Sequence, residues 1–232
     1  MTSKNGIPIV IIACKVFQSL LEELVPDDMA EQITFMDYGL HSVPAKLTWA
    51  VQDAIDAVEK PSLIVLGYGL CGNGLKDIQS GKHTLLIPRT DDCIAILLGS
   101  YKKYTQEFDA TPGTYYLTKG WLESGSNPLQ EYEEIVEKYG EKDAAWIMDQ
   151  QYQHYERLAF VSHDLNDMEK YRPKAKEVAQ YCEQWGFRYE EILGSDIYIR
   201  RLIKIAADID KADNNFVVIP PGGTVTQAMF MR

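Results

Sequence analysis

The segment at residues 7–13, IPIVIIA, decides the fold of this chain, because it is an uninterrupted run of apolar residues, most of them β-branched. Such a run predicts a strand that is buried on both faces, as in a parallel sheet covered by helices. A second strand is predicted at residues 32–37, where apolar and polar residues alternate, and further short apolar runs follow at residues 63–66, 84–87 and 216–219. Helical patterns separate them, so we predict a Rossmann-like, doubly wound α/β fold, with a mostly parallel sheet and helices on both faces.

The second half of the chain is less regular but keeps the alternation of strands and helices. Residues 92–108 predict one helix, and residues 129–153 predict one or two acidic helices with a break at Gly140. Further short strands are predicted at residues 114–117, 159–162 and 188–193. We therefore expect a single α/β domain over residues 1–232, with a helical insertion at about residues 122–157.

Composition and charge exclude several classes of protein. The chain has 232 residues, of which 46% are hydrophobic and 25% charged, so it can bury a substantial core. Lys and Arg number 23 against 34 Asp and Glu, a net charge of −11, which repels phosphate backbones and argues against a nucleic-acid partner. No targeting segment and no run of about 18 apolar residues is visible, so we expect a cytoplasmic protein with no membrane partner.

Three of the four cysteines follow predicted strands. Cys14 follows the first strand, Cys71 lies in a glycine-rich turn after the third, and Cys93 lies just after the fourth. Because ligands of open parallel sheets bind beyond the carboxyl ends of the strands, we expect these three sulfur atoms to converge there. Cys182 lies inside a predicted helix and is interpreted as a buried core thiol.

The cysteines suggest a metal site, which His41 can join because it follows the second strand. Three thiolates and an imidazole form a tetrahedral site suited to zinc. Three thiolates alone leave a position open on zinc, or on one iron of an iron–sulfur cluster. The alternative is that each cysteine is a small apolar residue at a tight turn.

The turn around Cys71 matches GxGxxG at residues 67–72, but no long helix opens at its third glycine, as a dinucleotide site requires. We expect Gly69, Gly72 and Gly74 instead to let the backbone approach a small-molecule ligand or a metal closely. Arg89, after the fourth strand, can bind a carboxylate or a phosphate, or form an ordinary surface ion pair.

Candidate catalytic residues lie near the same strand ends. Asp91 or Thr90 is expected to cap the helix after the fourth strand, which places Cys93 in its first turn. The helix amides there lower the pKa of its thiol, whereas the adjacent Asp91 and Asp92 raise it, a conflict that a bound cation would resolve. Asp92 and His163 are candidate acid–base groups, with capping and turn roles as the alternatives. Two other histidines, His83 and His154, are expected on the surface.

Several motifs together resemble the domain-of-unknown-function family 1638. They are YGLCGNGL at residues 68–75, IPRTDDCIAILLGS at residues 87–100 and PGTYYLTKGW at residues 112–121, supported by IIACKVF, LHSVPAKL and FVVIPPG. The family's motif cysteines and histidine map to Cys14, Cys71, Cys93 and His41. The resemblance implies an association with anaerobic one-carbon metabolism, with a corrinoid as a cofactor and corrinoid or methyltransferase proteins as partners.

Three functions follow from these observations. The first is a metal-binding protein, with zinc or an iron–sulfur cluster on the cysteines, acting as a metal-dependent transferase in methyl or sulfur transfer. The second is a cofactor-binding or carrier protein without chemistry of its own. The third is a metal-free thiol enzyme with Cys93 as nucleophile.

Overall fold

The computed structural model describes residues 6–232, except for the side chain of Ser42, and the chain divides into two compact units. The first unit comprises the chain up to Tyr101 together with Asp196–Arg232, and the second unit is Lys102–Ser195. The predicted helical insertion at about residues 122–157 falls within the second unit. That the whole chain forms a single domain stays a prediction.

The strands lie close to the predicted positions. In chain order they are β1 (Ile9–Cys14), β2 (Gln32–Met36), β3 (Leu63–Gly67), β4 (Thr84–Pro88), β5 (Thr114–Leu117), β6 (Arg157–Ser162), β7 (Arg188–Leu193) and β8 (Phe216–Ile219). Every residue of β1 and of β3 is buried, as their continuous apolar sequences predict.

The helices include two acidic ones separated at Gly140, as predicted. In chain order they are α1 (Gln18–Leu24), α2 (Pro44–Asp56), α3 (Cys93–Leu97), α4 (Tyr101–Ala110), α5 (Lys119–Ser124), α6 (Pro128–Tyr139), α7 (Glu141–Tyr152), α8 (Leu165–Cys182) and α9 (Ile197–Ala207). Short 3-10 turns follow β1 at Lys15–Phe17 and β2 at Tyr38–Ser42. Within the described part of the chain, no helix combines the length and the apolar character needed to cross a membrane.

The first unit contains a five-stranded sheet in the order β2-β1-β3-β4-β8. The first four of these strands are parallel, and β8 joins the edge antiparallel to β4. The strand order reverses between β1 and β3, and such a switch point is where open α/β sheets bind ligands. Together with the flanking helices, this sheet confirms the predicted Rossmann-like α/β class.

The second unit contains its own parallel sheet, in the order β5-β6-β7. All six residues of β6 are buried, as befits a central strand. Met148, Phe160 and Cys182 are among the fully buried side chains of its core. The interpretation of Cys182 as a core thiol agrees with this position, and burial raises its pKa to about 12.

One predicted helix is two helices in the structure. The pattern at residues 92–108 predicts continuity, but α3 ends at Leu97 and α4 begins at Tyr101. Gly99 has φ +88°, a left-handed conformation that ends helices and that glycine adopts without steric cost. The apolar spacing continues across this break, which is why periodicity alone misses it.

Candidate functional site

Three thiols meet beyond the carboxyl ends of β1, β3 and β4. Cys14 is the last residue of β1, Cys71 lies in the turn after β3, and Cys93 is the first residue of α3. The Sγ atoms of Cys71 and Cys93 are 3.7 Å apart. Cys14 and Cys93 are also hydrogen-bonded to each other through their side chains, so Cys93 contacts both of the others.

The position of Cys14 follows from the register of β1 between its two neighbours. Cys14 pairs with Met36 of β2, and Ala13 pairs with Gly67 of β3. A Cβ atom on Gly67 would lie 2.5 Å from the Cβ of Ala13, a distance that real Cβ atoms do not adopt. Glycine at this position therefore lets the ends of β1 and β3 lie close together beneath the thiols.

Backbone hydrogen bonds join the turn that carries Cys71 to the turn that precedes Cys93. Leu70 N–H donates to the carbonyl of Thr90 at 2.9 Å, and Cys71 N–H donates to the carbonyl of Asp91 at 2.8 Å. A Cβ on Gly69 would lie 2.7 Å from the carbonyl oxygen of Asp92. Gly69 is therefore required for contact between these two turns.

The other two glycines predicted to approach a cofactor also have roles within the protein. A Cβ on Gly74 would lie 2.5 Å from Leu47 Cδ2 of α2, so Gly74 allows the turn to pack on that helix. Gly72 has φ +61° and follows Cys71, which is itself left-handed at φ +49°. A left-handed cysteine is uncommon, and its backbone carries strain of about 1–2 kcal/mol. Cofactor binding by Gly69, Gly72 and Gly74 stays a prediction.

The environment of Cys14 and Cys93 favours their neutral thiol forms. Cys14 and Cys71 are buried and Cys93 is partly exposed. The hydrogen bond with Cys93, together with burial, raises the pKa of Cys14 well above its ordinary value. The hydrogen bond with Cys14 lowers the pKa of Cys93, but the hydrogen bond with Cys71, burial and the charge of Asp92 outweigh this effect and raise it. The pKa of Cys93 is therefore raised overall, in the direction expected from its acidic neighbour and against the direction expected from the helix.

A tyrosine and an aspartate, which sequence reasoning missed, lie at the same edge of the sheet. Tyr68 directly follows β3, is only 2% exposed, and its Oη atom has no hydrogen-bond partner among the described residues. Burial raises the pKa of Tyr68, and the three thiols and Asp37 raise it further. Asp37 follows β2, where its carboxylate accepts a hydrogen bond from Gly39 N–H at 2.9 Å. Their positions after strand ends are the signal that identifies them.

The predicted residues His41 and Asp92 lie at the edge as well. His41 belongs to the 3-10 turn after β2; burial lowers the pKa of its imidazole, while a hydrogen bond to the Tyr38 carbonyl raises it. Asp92 is the cap of α3, since its Oδ1 atom accepts a hydrogen bond from Ile94 N–H at 2.8 Å. Asp92, rather than Asp91 or Thr90, therefore caps the helix.

Arg89 forms hydrogen bonds with Asn215, Met231 and Arg232. Its guanidinium donates to the carbonyl of Met231, and its own carbonyl accepts a hydrogen bond from Arg232 at 2.9 Å. Its main-chain N–H donates to the carbonyl of Asn215 at 2.8 Å. These contacts give Arg89 a structural role, and its binding of a carboxylate or phosphate ligand stays a prediction.

The sequence contains three further histidines, His163, His83 and His154. His163 follows β6 in the second unit, whereas the three thiols belong to the first. His83 is buried, and its Nδ1 atom accepts a hydrogen bond from Ser62 N–H at 3.2 Å, so the expected surface position of His83 is wrong. His154 is exposed, as expected.

As the side chains stand, no three or more His, Cys, Asp and Glu residues between positions 6 and 232 are arranged so that they could hold a metal ion. The three thiols instead contact one another through hydrogen bonds and sulfur–sulfur contact. This cluster can do three kinds of chemistry: bind a thiophilic metal after losing its protons, form a disulfide, or supply a thiolate nucleophile.

The comparison with known proteins identifies a family. A family model described as "protein of unknown function (DUF1638)" matches residues 35–203. This span includes His41, Cys71 and Cys93, whereas Cys14 precedes it. No curated protein and no solved structure matches the chain. Because the matched span is well over half of the sequence, the chain belongs to the DUF1638 family.

Proposed function

We propose that this protein binds one zinc ion through the thiolates of Cys14, Cys71 and Cys93. The observation that carries the proposal is the meeting of three sulfur atoms from three neighbouring strand ends. Cysteine thiolates are preferred ligands of zinc, and the ends of parallel strands at a switch point are the usual ligand site of such sheets.

The separation of two of these sulfur atoms supports a single ion. With a zinc–sulfur bond of about 2.3 Å, two thiolates on one tetrahedral ion lie about 3.8 Å apart. Cys71 Sγ and Cys93 Sγ are 3.7 Å apart. In a cubane iron–sulfur cluster each cysteine binds a different iron atom, so its sulfur atoms lie farther apart. The observed spacing therefore favours zinc over the cluster.

Binding requires a change in the thiols rather than in the strands. Each thiol loses its proton, the hydrogen bonds between them are replaced by bonds to the ion, and the sulfur atoms turn toward a common point. The positive charge of the ion compensates the thiolates, and that of Cys14 is otherwise disfavoured by its contact with Cys93, by burial and by Asp37.

Tyr68 supports a ligand at this place. A buried hydroxyl without a partner costs about 1–3 kcal/mol, and such groups are rare in folded proteins. The Tyr68 hydroxyl can donate a hydrogen bond to a thiolate or to a small molecule in the fourth position of the ion. His41 is the other candidate for that position, because its hydrogen bond to a main-chain carbonyl is typical of ligating histidines.

Metal analysis of the purified protein tests the proposal. The protein is isolated without oxygen, and its zinc, iron and acid-labile sulfide are measured before and after reconstitution. We expect about one zinc per chain and no sulfide. Replacing Cys14, Cys71 or Cys93 by Ala should weaken zinc binding at least about 10-fold.

Cys182→Ala is the matched control, since Cys182 is a buried thiol of the second unit and should not affect zinc. His41→Ala decides the fourth position: reduced zinc affinity identifies His41 as a ligand, and unchanged affinity leaves this position to a small molecule. A reduced wild-type protein that takes up no zinc would refute the proposal. Uptake of iron together with sulfide would show that the cysteines hold an iron–sulfur cluster and not a zinc ion.

A further inference from the structure

We propose that Cys93 and Cys71 form a redox-active dithiol, which a small organic disulfide oxidises to a Cys71–Cys93 disulfide. This pairing follows from the thiol geometry and does not require a metal. A second consequence, that oxidation releases zinc because two of its three ligands are consumed, rests on the proposed function.

The two sulfur atoms are close enough to bond after a small movement. They are 3.7 Å apart, and a disulfide bond is about 2.05 Å long. The hydrogen bond from Cys71 N–H to the Asp91 carbonyl, 2.8 Å long, holds the two turns together on either side of the pair. Rotation of the two side chains therefore brings the sulfur atoms together without separating the turns.

Exposure favours Cys93 as the thiol that reacts first. Cys93 is partly exposed as a residue, whereas Cys14 and Cys71 are buried, and its sulfur atom turns toward solvent to meet an external disulfide in this proposal. Cys93 also contacts both other thiols, which makes it the shared partner of two candidate disulfides, one with Cys71 and one with Cys14.

The backbone around the two buried cysteines favours Cys71 as the second partner. Cys14 ends a strand that is paired on both sides, which restricts its movement. Cys71 lies in a turn, and the next residue, Gly72, has open space around it, since a Cβ atom there would have Pro44 Cγ as its nearest neighbour, at 3.9 Å. The Cys71 side chain can therefore adjust at lower cost than that of Cys14.

The reaction proceeds by two thiol–disulfide exchanges. The Cys93 thiolate attacks the organic disulfide RSSR, forming a Cys93–S–S–R bond and releasing one RS⁻. The Cys71 thiolate then attacks the Cys93 sulfur, forming the protein disulfide and releasing the second RS⁻. The two protons from the cysteine thiols pass to the released thiolates, so two cysteines are oxidised and one RSSR is reduced to two RSH.

Equilibration with glutathione and peptide mapping test the pairing. The reduced, zinc-free protein is held in mixtures ranging from wholly reduced to wholly oxidised glutathione, quenched with acid, alkylated and digested with trypsin. The four cysteines fall on separate tryptic peptides, at residues 5–15, 47–76, 90–102 and 177–188. We expect the intact protein to lose two hydrogen atoms and the peptides 47–76 and 90–102 to be joined.

Variants separate the roles of the three cysteines. Cys14→Ala should keep the disulfide, and Cys182 should remain alkylated throughout as the internal control. Cys71→Ala should lose the joined peptides and retain glutathione on Cys93. The pairing is overturned if peptide 5–15 is joined to 90–102 instead, or if Cys93 stays a free thiol in wholly oxidised glutathione.

The release of zinc on oxidation is measured in a separate experiment. Oxidation of zinc-loaded protein should release one zinc for each Cys71–Cys93 disulfide formed, read with a colorimetric chelator. A disulfide that forms while zinc stays bound would overturn the inference that oxidation releases zinc. If the reduced protein binds no zinc, the proposed function fails. The glutathione experiment on the zinc-free protein still tests whether Cys71 and Cys93 form a disulfide.

Discussion

Tyr68 and Tyr198 are both almost fully buried in the first unit, yet their hydroxyl groups differ. Tyr198 donates to the carbonyl of Asn215 at 2.6 Å, whereas Tyr68 Oη has no partner among the described residues. A buried hydroxyl is stabilising only when its hydrogen bond is made. The unpaired hydroxyl beside three thiols is therefore one of the observations that support the proposed zinc site.

Replacing each tyrosine by Phe tests this difference. Tyr198→Phe should lower the free energy of unfolding by about 1 kcal/mol, because the hydrogen bond between its hydroxyl group and the Asn215 carbonyl is lost. Tyr68→Phe should leave the stability of the zinc-free protein unchanged or slightly higher, because no hydrogen bond is lost. Urea unfolding of both variants measures this. If Tyr68→Phe lowered the free energy of unfolding as much as Tyr198→Phe does, the Tyr68 hydroxyl would have a hydrogen bond in the zinc-free protein, and this prediction would be wrong.

At the scale of elements, α3 is a five-residue helix that begins at the thiol site. Its cap, Asp92, accepts a hydrogen bond from Ile94 N–H, and the longer helix α8 is capped in the same way by Asp164, which accepts from Asn166 N–H at 2.8 Å. A capping carboxylate satisfies main-chain donors that the helix leaves open. This contact gives Asp92 a structural role, and its acid–base role stays a prediction.

Substitutions at the two caps test whether Asp92 acts only on the helix. Asp92→Ala and Asp164→Ala should each lower the free energy of unfolding by about 1 kcal/mol. Asp92→Asn should keep most of the stability, because its amide oxygen caps equally well. Unfolding curves in urea provide the measurement. If Asp92→Asn were as destabilising as Asp92→Ala, the charge of Asp92 would matter beyond capping.

At the scale of the whole molecule, the second unit has the features of a domain. Lys102–Ser195 is a continuous segment with its own sheet and its own buried core. Its two ends lie together, since Lys103 Nζ donates to the carbonyl of Leu193 at 3.1 Å. Segments with a separate core and adjacent ends are those that fold alone and that are inserted into other domains.

We therefore predict that a fragment comprising residues 102–195 folds by itself. It should give a near-ultraviolet circular dichroism signal from its packed aromatic side chains and unfold in one cooperative transition. Phe160→Ala, at a fully buried position of β6, is the control and should cost about 3–5 kcal/mol, abolishing that signal. A wild-type fragment without a cooperative transition would show that the second unit depends on the first.

The local sequence predicts much of this fold for a physical reason. Strands buried on both faces need continuous apolar runs, so the sequences of β1 and β3 identify them directly. The carboxyl ends of parallel strands lie at one edge, so the approximate location of Cys14, Cys71 and Cys93 also follows from their positions after strands.

The sequence does not predict features that depend on contacts between distant segments. The break at Gly99 depends on one left-handed residue, and the cap at Asp92 depends on which of several adjacent polar residues faces the helix. The pKa of Cys93 is lowered by one thiol and raised by another, which lie 79 and 22 residues away in the chain (93 − 14 and 93 − 71). Periodicity and spacing carry no information of this kind.

The sequence by itself thus determined the α/β class, most strand positions and the edge of the sheet where the cysteines lie, because apolar patterning reflects burial residue by residue. Only the tertiary structure decided that the strands form two sheets, that Cys93 contacts both other thiols, and that the hydroxyl of Tyr68 is buried beside them. These are matters of strand order and of packing between distant segments, which local patterns do not encode.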